Sequence, residues 1–372
     1  MKKIVVVFGT RPEAIKMCPV IKELNKREDI STIVVVTGQH RQMLDQVLAA
    51  FDVVPDYDLA IMRKQQDLFD ITEAVMRGMR ELLKKICPDI VMVHGDTTTS
   101  FAAALSAFYM GIKVAHVEAG LRTYNIYSPY PEEFNRQAVG VISTMNFAPT
   151  ENARQNLIRE GKRENSIWVT GNTVIDALKT TIIDGYYHPE LEWCKGKKMV
   201  LITAHRRENL GAPMRRIFQS IKRVLDEHED VRAIYPVHLN PKVRKICMDV
   251  FGEDDRIHLI EPLDVIDFHN FMNAAYLILT DSGGIQEEAP SLGKPVLVLR
   301  DTTERQEGIE AGTVKLVGTN EETIYSEFSK LIDDKNVYEK MSKANNPYGD
   351  GEASKRIADV IEKYFINEER EI

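Results

Sequence analysis

The sequence contains no long apolar run and no recognisable secretory signal. No stretch approaches the roughly 18 apolar residues that a membrane-spanning helix needs. Met1, Lys2 and Lys3 lead directly into an apolar segment, residues 4–8, which is too short for the apolar part of a signal peptide. We therefore expect a cytoplasmic protein that has no membrane partner.

Cysteine is scarce, which argues against a disulfide framework or a zinc site. The four cysteines, Cys18, Cys87, Cys194 and Cys247, are scattered along the chain. They form no C-x-x-C pair and have no nearby histidine at the spacing of metal ligands. We expect reduced thiols in the core and no bound metal.

The chain lacks an excess of positive charge. Its 48 Lys and Arg residues are outnumbered by 56 Asp and Glu residues, which gives a net charge of −8. General nucleic-acid binding requires a basic face, so nucleic acid is not an expected partner. Any phosphate-binding site must therefore be built from a few local cations.

The glycine fingerprint of dinucleotide-binding proteins is also missing. No G-x-G-x-x-G follows the first strand-like segment, and the second ends in residues 37–40, Thr-Gly-Gln-His. An acidic residue that binds the ribose would be expected there in an NAD-binding protein. We therefore predict no bound NAD and no other cofactor.

What the sequence does contain is a repeated alternation of short apolar strands and amphipathic helices. Strands of this kind, each followed by a helix, favour a parallel sheet covered on both faces. The pattern restarts after residues 180–198, so we predict two Rossmann-like, doubly wound α/β domains with a cleft between them. The predicted strands are residues 4–8, 33–37, 90–94, 113–117, 145–148 and 167–170, then 199–203, 232–236, 257–260, 276–280, 296–299 and 314–317.

Open α/β sheets bind ligands at the carboxyl ends of their strands, so the residues after each strand are the first candidates. After the first strand, Thr10 and Glu13 form a T-x-x-E capping box, which predicts a helix start there. Arg11 and Lys16 would add positive charge for a phosphate. An ordinary helix cap with two solvated cations explains these residues equally well.

Three carboxylates follow later strands of the first half. Asp96 and Glu118 lie at the predicted ends of neighbouring strands, and Glu132 lies in a proline-rich loop that leads into a helix. We predict that all three meet the ligand. Asp96 is alternatively a helix N-cap, and Glu132 with Glu133 alternatively interacts with a helix dipole.

In the second half, cations and glycines follow two strands. His205, Arg206 and Arg207 come directly after one strand and suggest an anionic ligand, although a surface loop paired with Glu208 is the alternative. The sequence Asp281-Ser-Gly-Gly opens a helix on which backbone N–H groups can approach a diphosphate.

Near this helix start, Glu287 or Glu288 could accept the two hydroxyl groups of a ribose. Arg305 follows the next strand and could pair with phosphate, or with Glu304 or Glu307. The combination of glycines, glutamates and a cation predicts a nucleotide diphosphate site.

Taken together, these motifs resemble the non-hydrolysing UDP-N-acetylglucosamine 2-epimerases. The similar segments span nearly the whole chain: GTRPEAIKM from Gly9, HGDTTT from His94, HVEAGLRT from His116, SPYPEE from Ser128, TAHRREN from Thr203, DSGGIQEEAPSLGKPVLVLRDTTER from Asp281, and NPYGDG from Asn346.

The resemblance implies a fold of the glycosyltransferase-B type and a homodimer. It implies a first domain of residues 1–170, with the last helix, 353–372, packed back on it, and a UDP-binding domain of residues 171–352. By resemblance the substrate-binding residues are Arg11, Lys16, Phe268, Ser282, Gly283, Gly284, Glu288 and Arg305. The candidate catalytic residues are Asp96, Glu118, Glu132 and His205.

Some members of this family also need UDP-N-acetylglucosamine (UDP-GlcNAc) at an adjoining second site. The matching residues here are Gln39, Gln42, Gln66, one of Arg206 and Arg207, and His238. Two positions depart from the family pattern. Gln65 stands where those enzymes carry an arginine, which removes a phosphate partner. Leu263 replaces a glutamine that contacts uracil in some members, so uracil would need backbone hydrogen bonds.

The resemblance implies that the chain interconverts UDP-GlcNAc and UDP-N-acetylmannosamine (UDP-ManNAc) for cell-surface polysaccharide synthesis. The hydrogen at C2 is not acidic, and no nicotinamide site is predicted, so elimination of UDP to 2-acetamidoglucal and its re-addition is the expected route. The alternatives are a hydrolysing 2-epimerase, a glycosyltransferase and a non-catalytic nucleotide-sugar sensor.

Overall fold

The computed structural model of the chain describes residues 1–38, 41–63, 65–252, 254–303 and 305–370. It describes the side chains in these ranges except those of residues 41–43, 207 and 368–370. The chain divides into two compact units. The first comprises Met1–Thr180 and Tyr348–Ile372, and the second comprises Thr181–Pro347.

The first unit is built around a parallel sheet. Its strands are β1 (Lys2–Phe8), β2 (Ile30–Val36), β3 (Tyr57–Asp58), β4 (Ile90–His94), β5 (Lys113–Val117), β6 (Met145–Ala148) and β7 (Ile167–Val169). Among the described residues, these seven strands lie in the order β3-β2-β1-β4-β5-β6-β7. Strands β1, β4 and β5 are almost wholly buried, as expected for a sheet with helices on both faces.

The helices of the first unit connect these strands. They are α1 (Arg11–Leu24), α2 (Arg41–Ala50), α3 (Leu68–Ile86), α4 (Thr98–Tyr109), α5 (Glu132–Ile142), α6 (Glu151–Arg159) and α7 (Thr173–Thr181).

The second unit repeats the arrangement. Its helices α8 (Pro189–Trp193), α9 (Ala212–Glu227), α10 (Pro241–Phe251), α11 (Val265–Ala274), α12 (Ile285–Ser291), α13 (Gln306–Glu310), α14 (Glu321–Asp333) and α15 (Lys335–Ser342) alternate with strands. The strands are β8 (Lys198–Thr203), β9 (Val231–Pro236), β10 (Ile257–Ile260), β11 (Leu277–Thr280), β12 (Val296–Val298) and β13 (Val314–Leu316). In the described part of the chain, they form a parallel sheet of order β10-β9-β8-β11-β12-β13.

The last helix, α16 (Ala353–Arg370), belongs to the first unit and packs against α1. Ile357 and Ile361 on its apolar face are fully buried. Arg27, which follows α1, pairs with Asp359, and Lys2 lies 5.5 Å from the centre of the Phe365 ring. The apolar face of this helix is therefore covered by its own unit.

One prediction about the core is wrong. Cys18, Cys194 and Cys247 are buried, but Cys87 is exposed. Cys87 caps the C-terminus of α3 in a left-handed conformation, with φ of 49°, and a helix end of this kind lies at the surface. In the described residues, no helix is long and apolar enough to cross a membrane.

Candidate functional site

Each sheet has a point where the strand order reverses, and the candidate residues lie at these points. In the first sheet, β1 lies between β2 and β4, and in the second, β8 lies between β9 and β11. The loops that leave the two central strands at such a point run to opposite faces of the sheet and open a crevice at their carboxyl ends.

The turn from β1 into α1 is fixed by Glu13, whose side chain is almost fully buried. One carboxylate oxygen accepts hydrogen bonds from the backbone N–H groups of Gly9 and Thr10 at 3.0 and 2.8 Å. The other accepts the hydroxyl groups of Thr97 and Ser100 at 2.6 and 2.9 Å. The predicted capping box is confirmed, and the same carboxylate also ties the start of α1 to the start of α4.

Arg11 and Lys16 extend from this helix start. Arg11 is the first residue of α1 and is half-buried. Nζ of Lys16 forms an ion pair with Oε2 of Glu118, and both side chains are largely shielded from solvent. Lys16 and Glu118, both selected as candidates from the sequence, are therefore in direct contact.

Glu118 lies just after β5 between two positively charged or basic partners. Besides Lys16, Nε2 of His94 lies 2.8 Å from its Oε2. Burial opposes ionisation of this carboxyl, but Lys16 and His94 together hold the pKa of Glu118 well below its usual range. The backbone of Glu118 is left-handed, with φ of 61°, a conformation that costs about 1–3 kcal/mol outside glycine and is typical of functional sites.

The pKa of Asp96 is shifted in the opposite direction. Burial raises the pKa of Asp96, the neighbouring Glu118 raises it further, and Arg136 only partly offsets this effect. Nη2 of Arg136 lies 2.5 Å from Oδ2 of Asp96. The cap of α4 is Thr97, whose hydroxyl accepts the N–H of Ser100, so Asp96 is not occupied as an N-cap.

Glu132 and Glu133 lie together in the first turn of α5 but have different surroundings. Glu133 is fully buried and accepts hydrogen bonds from the backbone N–H groups of Thr123 and Tyr124, both at 3.0 Å. Glu132 is half-buried, and its carboxylate has no hydrogen-bond or ion-pair partner among the described residues. Glu133 is thus occupied in holding the loop before α5, whereas Glu132 is available to a ligand.

In the second unit, His205 follows β8 and Asp281 follows β11. Oδ2 of the fully buried Asp281 accepts the backbone N–H groups of His205 and Arg206, both at 2.9 Å, and an amide N–H of Asn209 at 3.2 Å. Nδ1 of His205 lies 3.5 Å from Oδ1 of Asp281. Its ring stacks on that of His238, with centroids 5.2 Å apart and planes 8° from parallel.

The Ser282-Gly283-Gly284 turn brings Arg305 close to the backbone. A Cβ atom at Gly283 would lie 2.7 Å from the guanidinium carbon of Arg305, so a larger residue there would displace the end of the Arg305 side chain. Nε of Arg305 donates to Oε1 of Glu287 at 2.8 Å. Arg305 therefore pairs with Glu287, a partner that the sequence analysis did not assign to it.

The two remaining predicted ligand residues, Glu288 and Phe268, lie on helices of the second unit. Glu288 is on α12, and its Oε2 lies 3.6 Å from Nε2 of the buried His269. Phe268 precedes His269 on α11 and is half-buried. Leu263, which precedes α11, lines a cavity of about 410 Å³.

The residues predicted for a second nucleotide-sugar site are placed only in part. Gln39 lies outside the described residues, as do the side chains of Gln42 and Arg207. The amide of Gln66 binds the backbone of its own loop, at Ile61 and Arg63.

Two further residues of that set lie beside the His205 loop. Nε of Arg206 donates to the carbonyl of Asp281 at 2.8 Å, and His238 stacks on His205. Arg206 also approaches Glu208 at 3.4 Å, the contact expected of the surface-loop alternative, but its Nε remains bound to the site.

Three residues that shape these clusters were not predicted from the sequence: His94, Arg136 and Asp281. His94 is the last residue of β4, and Asp281 directly follows β11. A position at the carboxyl end of a strand is the signal that selected the other candidates. Arg136 lies inside α5 and gave no such signal. In the described part of the chain, no group of three or more His, Cys, Asp or Glu side chains is arranged to hold a metal ion.

The chain is similar to known proteins over nearly its full length. The family model for UDP-N-acetylglucosamine 2-epimerase matches residues 22–362. A UDP-N-acetylglucosamine 2-epimerase of Bacillus subtilis (strain 168) is 61% identical over 359 residues, which cover 96% of this chain and 94% of the relative.

Solved structures give the same result. S. aureus MnaA, solved with UDP, is 52% identical with a TM-score of 0.90, covering 99% of this chain and 97% of that one. The Neisseria meningitidis UDP-GlcNAc 2-epimerase, solved bound to UDP-GlcNAc, is 49% identical with a TM-score of 0.87, covering 97% and 100%. The predicted α/β fold of the glycosyltransferase-B type is confirmed by the two parallel sheets and these matches. The chain belongs to the UDP-N-acetylglucosamine 2-epimerase family.

Proposed function

We propose that the chain is a non-hydrolysing isomerase that interconverts UDP-GlcNAc and UDP-ManNAc. It acts in the cytoplasm and supplies an activated amino sugar for cell-surface polysaccharide. The observation that carries this proposal is the pair of carboxyls at the end of the first sheet: Glu118 is held ionised by Lys16 and His94, whereas burial favours the protonated form of Asp96. Two carboxyls whose pKa values are pushed apart supply a base and an acid for one reaction.

The reaction proceeds by elimination and re-addition. A carboxylate removes the proton from C2 of the sugar, the electron pair forms the C1–C2 double bond, and the C1–O bond breaks with its electrons on UDP. A protonated carboxyl then delivers a proton to the opposite face of C2 while UDP re-forms the bond to C1. Starting from UDP-GlcNAc, we assign the base to Glu118 and the acid to Asp96, and we assign Glu132 to support these proton transfers.

UDP must be stabilised as a leaving group and retained until it adds back. We assign this role to His205, Arg305 and the Ser282-Gly283-Gly284 turn, and also to Arg11 and Lys16. Preorganised cations and N–H donors stabilise the charge that develops on the phosphate oxygen as the C1–O bond breaks. The ion pair between Arg305 and Glu287 keeps the guanidinium beside the glycine turn before the ligand arrives.

The test is a product assay by NMR with UDP-GlcNAc as the added nucleotide sugar. We expect UDP-ManNAc to accumulate to a constant ratio with UDP-GlcNAc, with the total amount of UDP-sugar unchanged. Release of free UDP and N-acetylmannosamine in step with turnover would show the hydrolysing activity instead. Binding of UDP-GlcNAc without any product would support the sensor.

We also propose that the chain forms a homodimer through α3 and α4. Phe69 on α3 is 85% exposed and Tyr109 on α4 is 70% exposed. Together with Met76 and Met110 they line an open groove of about 860 Å³, and exposed apolar patches of this kind mark interaction surfaces.

The charges on this face suit a second copy of the same chain. Glu73 pairs with Arg77 on the exposed side of α3, and Arg80 and Glu81 follow on the same helix. A two-fold axis across α3 would set acidic residues of one copy against basic residues of the other.

Light scattering should give a dimer mass, and Phe69→Glu should shift it toward the monomer. Leu239→Glu, at an exposed leucine of the second unit, is the control; a monomeric wild type would contradict the proposal.

A second molecule of UDP-GlcNAc is proposed as an activator. The stacking of His238 on His205 supports this, because it connects a residue of the predicted activator site with a residue of the substrate site. With UDP-ManNAc as the only nucleotide sugar, we expect a lag that a trace of UDP-GlcNAc abolishes. Immediate, linear turnover of pure UDP-ManNAc would contradict activation.

A further inference from the structure

Asp281 is a buried carboxylate whose two oxygens are used unequally. Oδ2 accepts three hydrogen bonds, from the backbone N–H groups of His205 and Arg206 and from the amide of Asn209. Oδ1 is buried, and among the described residues it has no hydrogen bond. An ionised oxygen buried without a donor is costly, so such an atom needs a basic or donor group nearby.

The imidazole of His205 is such a group. Its Nδ1 lies 3.5 Å from Oδ1 of Asp281, slightly longer than a good N–H···O bond. The His205 side chain is 45% exposed, so its ring can move by the few tenths of an ångström that a hydrogen bond requires. The ring also stacks on that of His238, and Nδ1 is its nitrogen that lies beside Asp281.

We propose that Asp281 is a positioning residue that keeps a proton on Nδ1 of His205 and thereby leaves Nε2 as the nitrogen that meets the ligand. A carboxylate accepts hydrogen bonds and cannot donate one, so it selects the imidazole form that carries hydrogen on the facing nitrogen. The other nitrogen then takes a proton from solvent as UDP binds and donates it in a hydrogen bond to a phosphate oxygen. This role rests on the proposed function, in which His205 stabilises the departing UDP.

The substitution Asp281→Asn separates this role from the anchoring of the loop. An asparagine has nearly the same shape, and its single amide oxygen can still accept the donors at the Oδ2 position. Its NH2 group then occupies the Oδ1 position and donates toward His205, so the facing nitrogen must become an acceptor. We expect the neutral imidazole of His205 to exchange its proton from Nδ1 to Nε2.

The measurement is a long-range proton–nitrogen NMR correlation on protein labelled at its nine histidines, recorded at alkaline pH. A His205→Asn sample assigns the His205 signals. In the wild type we expect Nδ1 to be protonated and Nε2 to be bare, and in Asp281→Asn the reverse. A wild-type His205 with hydrogen on Nε2 would overturn the proposal without any variant, and so would an unchanged pattern in folded Asp281→Asn.

Kinetics test the consequence for catalysis. We expect Asp281→Asn to lower kcat for UDP-GlcNAc about 100-fold while KM changes little, because the loop and its contacts stay in place. Unchanged kcat would refute the positioning role.

Asp254→Asn is the matched control: Asp254 is almost as buried and lies in the same unit, but it pairs with Lys222 and Arg256. It should change neither kcat nor the His205 signals. If the wild type proves inactive on UDP-GlcNAc, the NMR result still decides whether Asp281 sets the imidazole.

Discussion

At the scale of residues, the two carboxyls beside the first sheet differ because of their partners. Glu118 contacts Lys16 and His94, whereas Asp96 has Arg136 as its cation and Glu118 as a like-charged neighbour. A fully buried carboxyl is hard to ionise unless cations surround it. The pKa values of these two carboxyls are therefore shifted in opposite directions.

Glu118→Gln should remove the ionised member of this pair. We expect kcat to fall about 100-fold or more with a smaller change in the dissociation constant of UDP, because the amide retains the shape but not the charge or basicity. Rates under saturating UDP-GlcNAc and calorimetric titration with UDP measure the two effects. Glu151→Gln, which alters an exposed ion pair with Arg154, should leave both unchanged; comparable losses in the two variants would remove Glu118 from the proposed mechanism.

His116 gives a pH-dependent contribution to stability. Burial lowers the pKa of His116 to about 3, and its Nε2 donates to the carbonyl of Gly95 at 2.7 Å. The unfolded chain takes up a proton on this residue below about pH 6.5 while the folded chain does not, so stability is lost as the pH falls through that range.

His116→Asn should therefore flatten the dependence of the free energy of unfolding on pH between about 6.5 and about 4. Urea unfolding at a series of pH values measures this slope. His228→Asn, at a histidine of the second unit that contacts Asp333, controls for the loss of one histidine. A slope identical to the wild type in His116→Asn would contradict the argument.

The candidate residues predicted from the sequence are those that follow the end of a predicted strand. Asp96, Glu118 and His205 each follow a strand, and parallel strands bring their carboxyl ends to one edge. The contacts that set their protonation were not predictable, because each joins residues far apart in the chain. Lys16 and Glu118 are 102 positions apart, and His205 and Asp281 lie on different loops. No pattern of neighbouring residues in the sequence predicts such a pairing.

At the scale of elements, Glu13 joins two helix starts. A capping box was predictable from Thr10 and Glu13, since the two residues are three positions apart. The bonds from Thr97 and Ser100 of the α4 start were not, and they make this cap part of the core. The same motif at Asp67 and Asp70 of α3 is exposed.

Glu13→Gln should accordingly be more destabilising than Asp70→Asn. The glutamine replaces one acceptor oxygen by a donor group that faces other donors, and leaving buried donors unpaired costs about 1–3 kcal/mol each. At the exposed cap of α3, water can replace the lost bond, so a cost below about 1 kcal/mol is expected. Urea unfolding compares the two, and equal losses would show that the buried network adds nothing.

Short elements were the ones missed from the sequence. The strand β3, Tyr57–Asp58, has two residues, and the helix α8, Pro189–Trp193, has five. Neither is long enough for apolar residues to show a period of two or of 3.6. The longer strands were predicted because their apolar runs and flanking helices recur along the chain.

At the scale of the whole molecule, the chain uses one α/β plan twice. Both sheets reverse their strand order at a central strand, at β1 in the first unit and at β8 in the second. The residues to which we assign proton transfer lie at the first reversal, and the histidine and glycine-rich turn lie at the second. The predicted domain limits and the cleft between the domains stay predictions.

The most direct measurement of the central claim is isotope incorporation during turnover in D2O. Elimination removes the hydrogen at C2 and returns one from a carboxyl that exchanges with solvent, so UDP-ManNAc formed from UDP-GlcNAc should carry deuterium at C2. NMR of the product reads this position directly. UDP-ManNAc that retains its original C2 hydrogen would contradict proton transfer by Asp96 and Glu118 and, with it, the proposed mechanism.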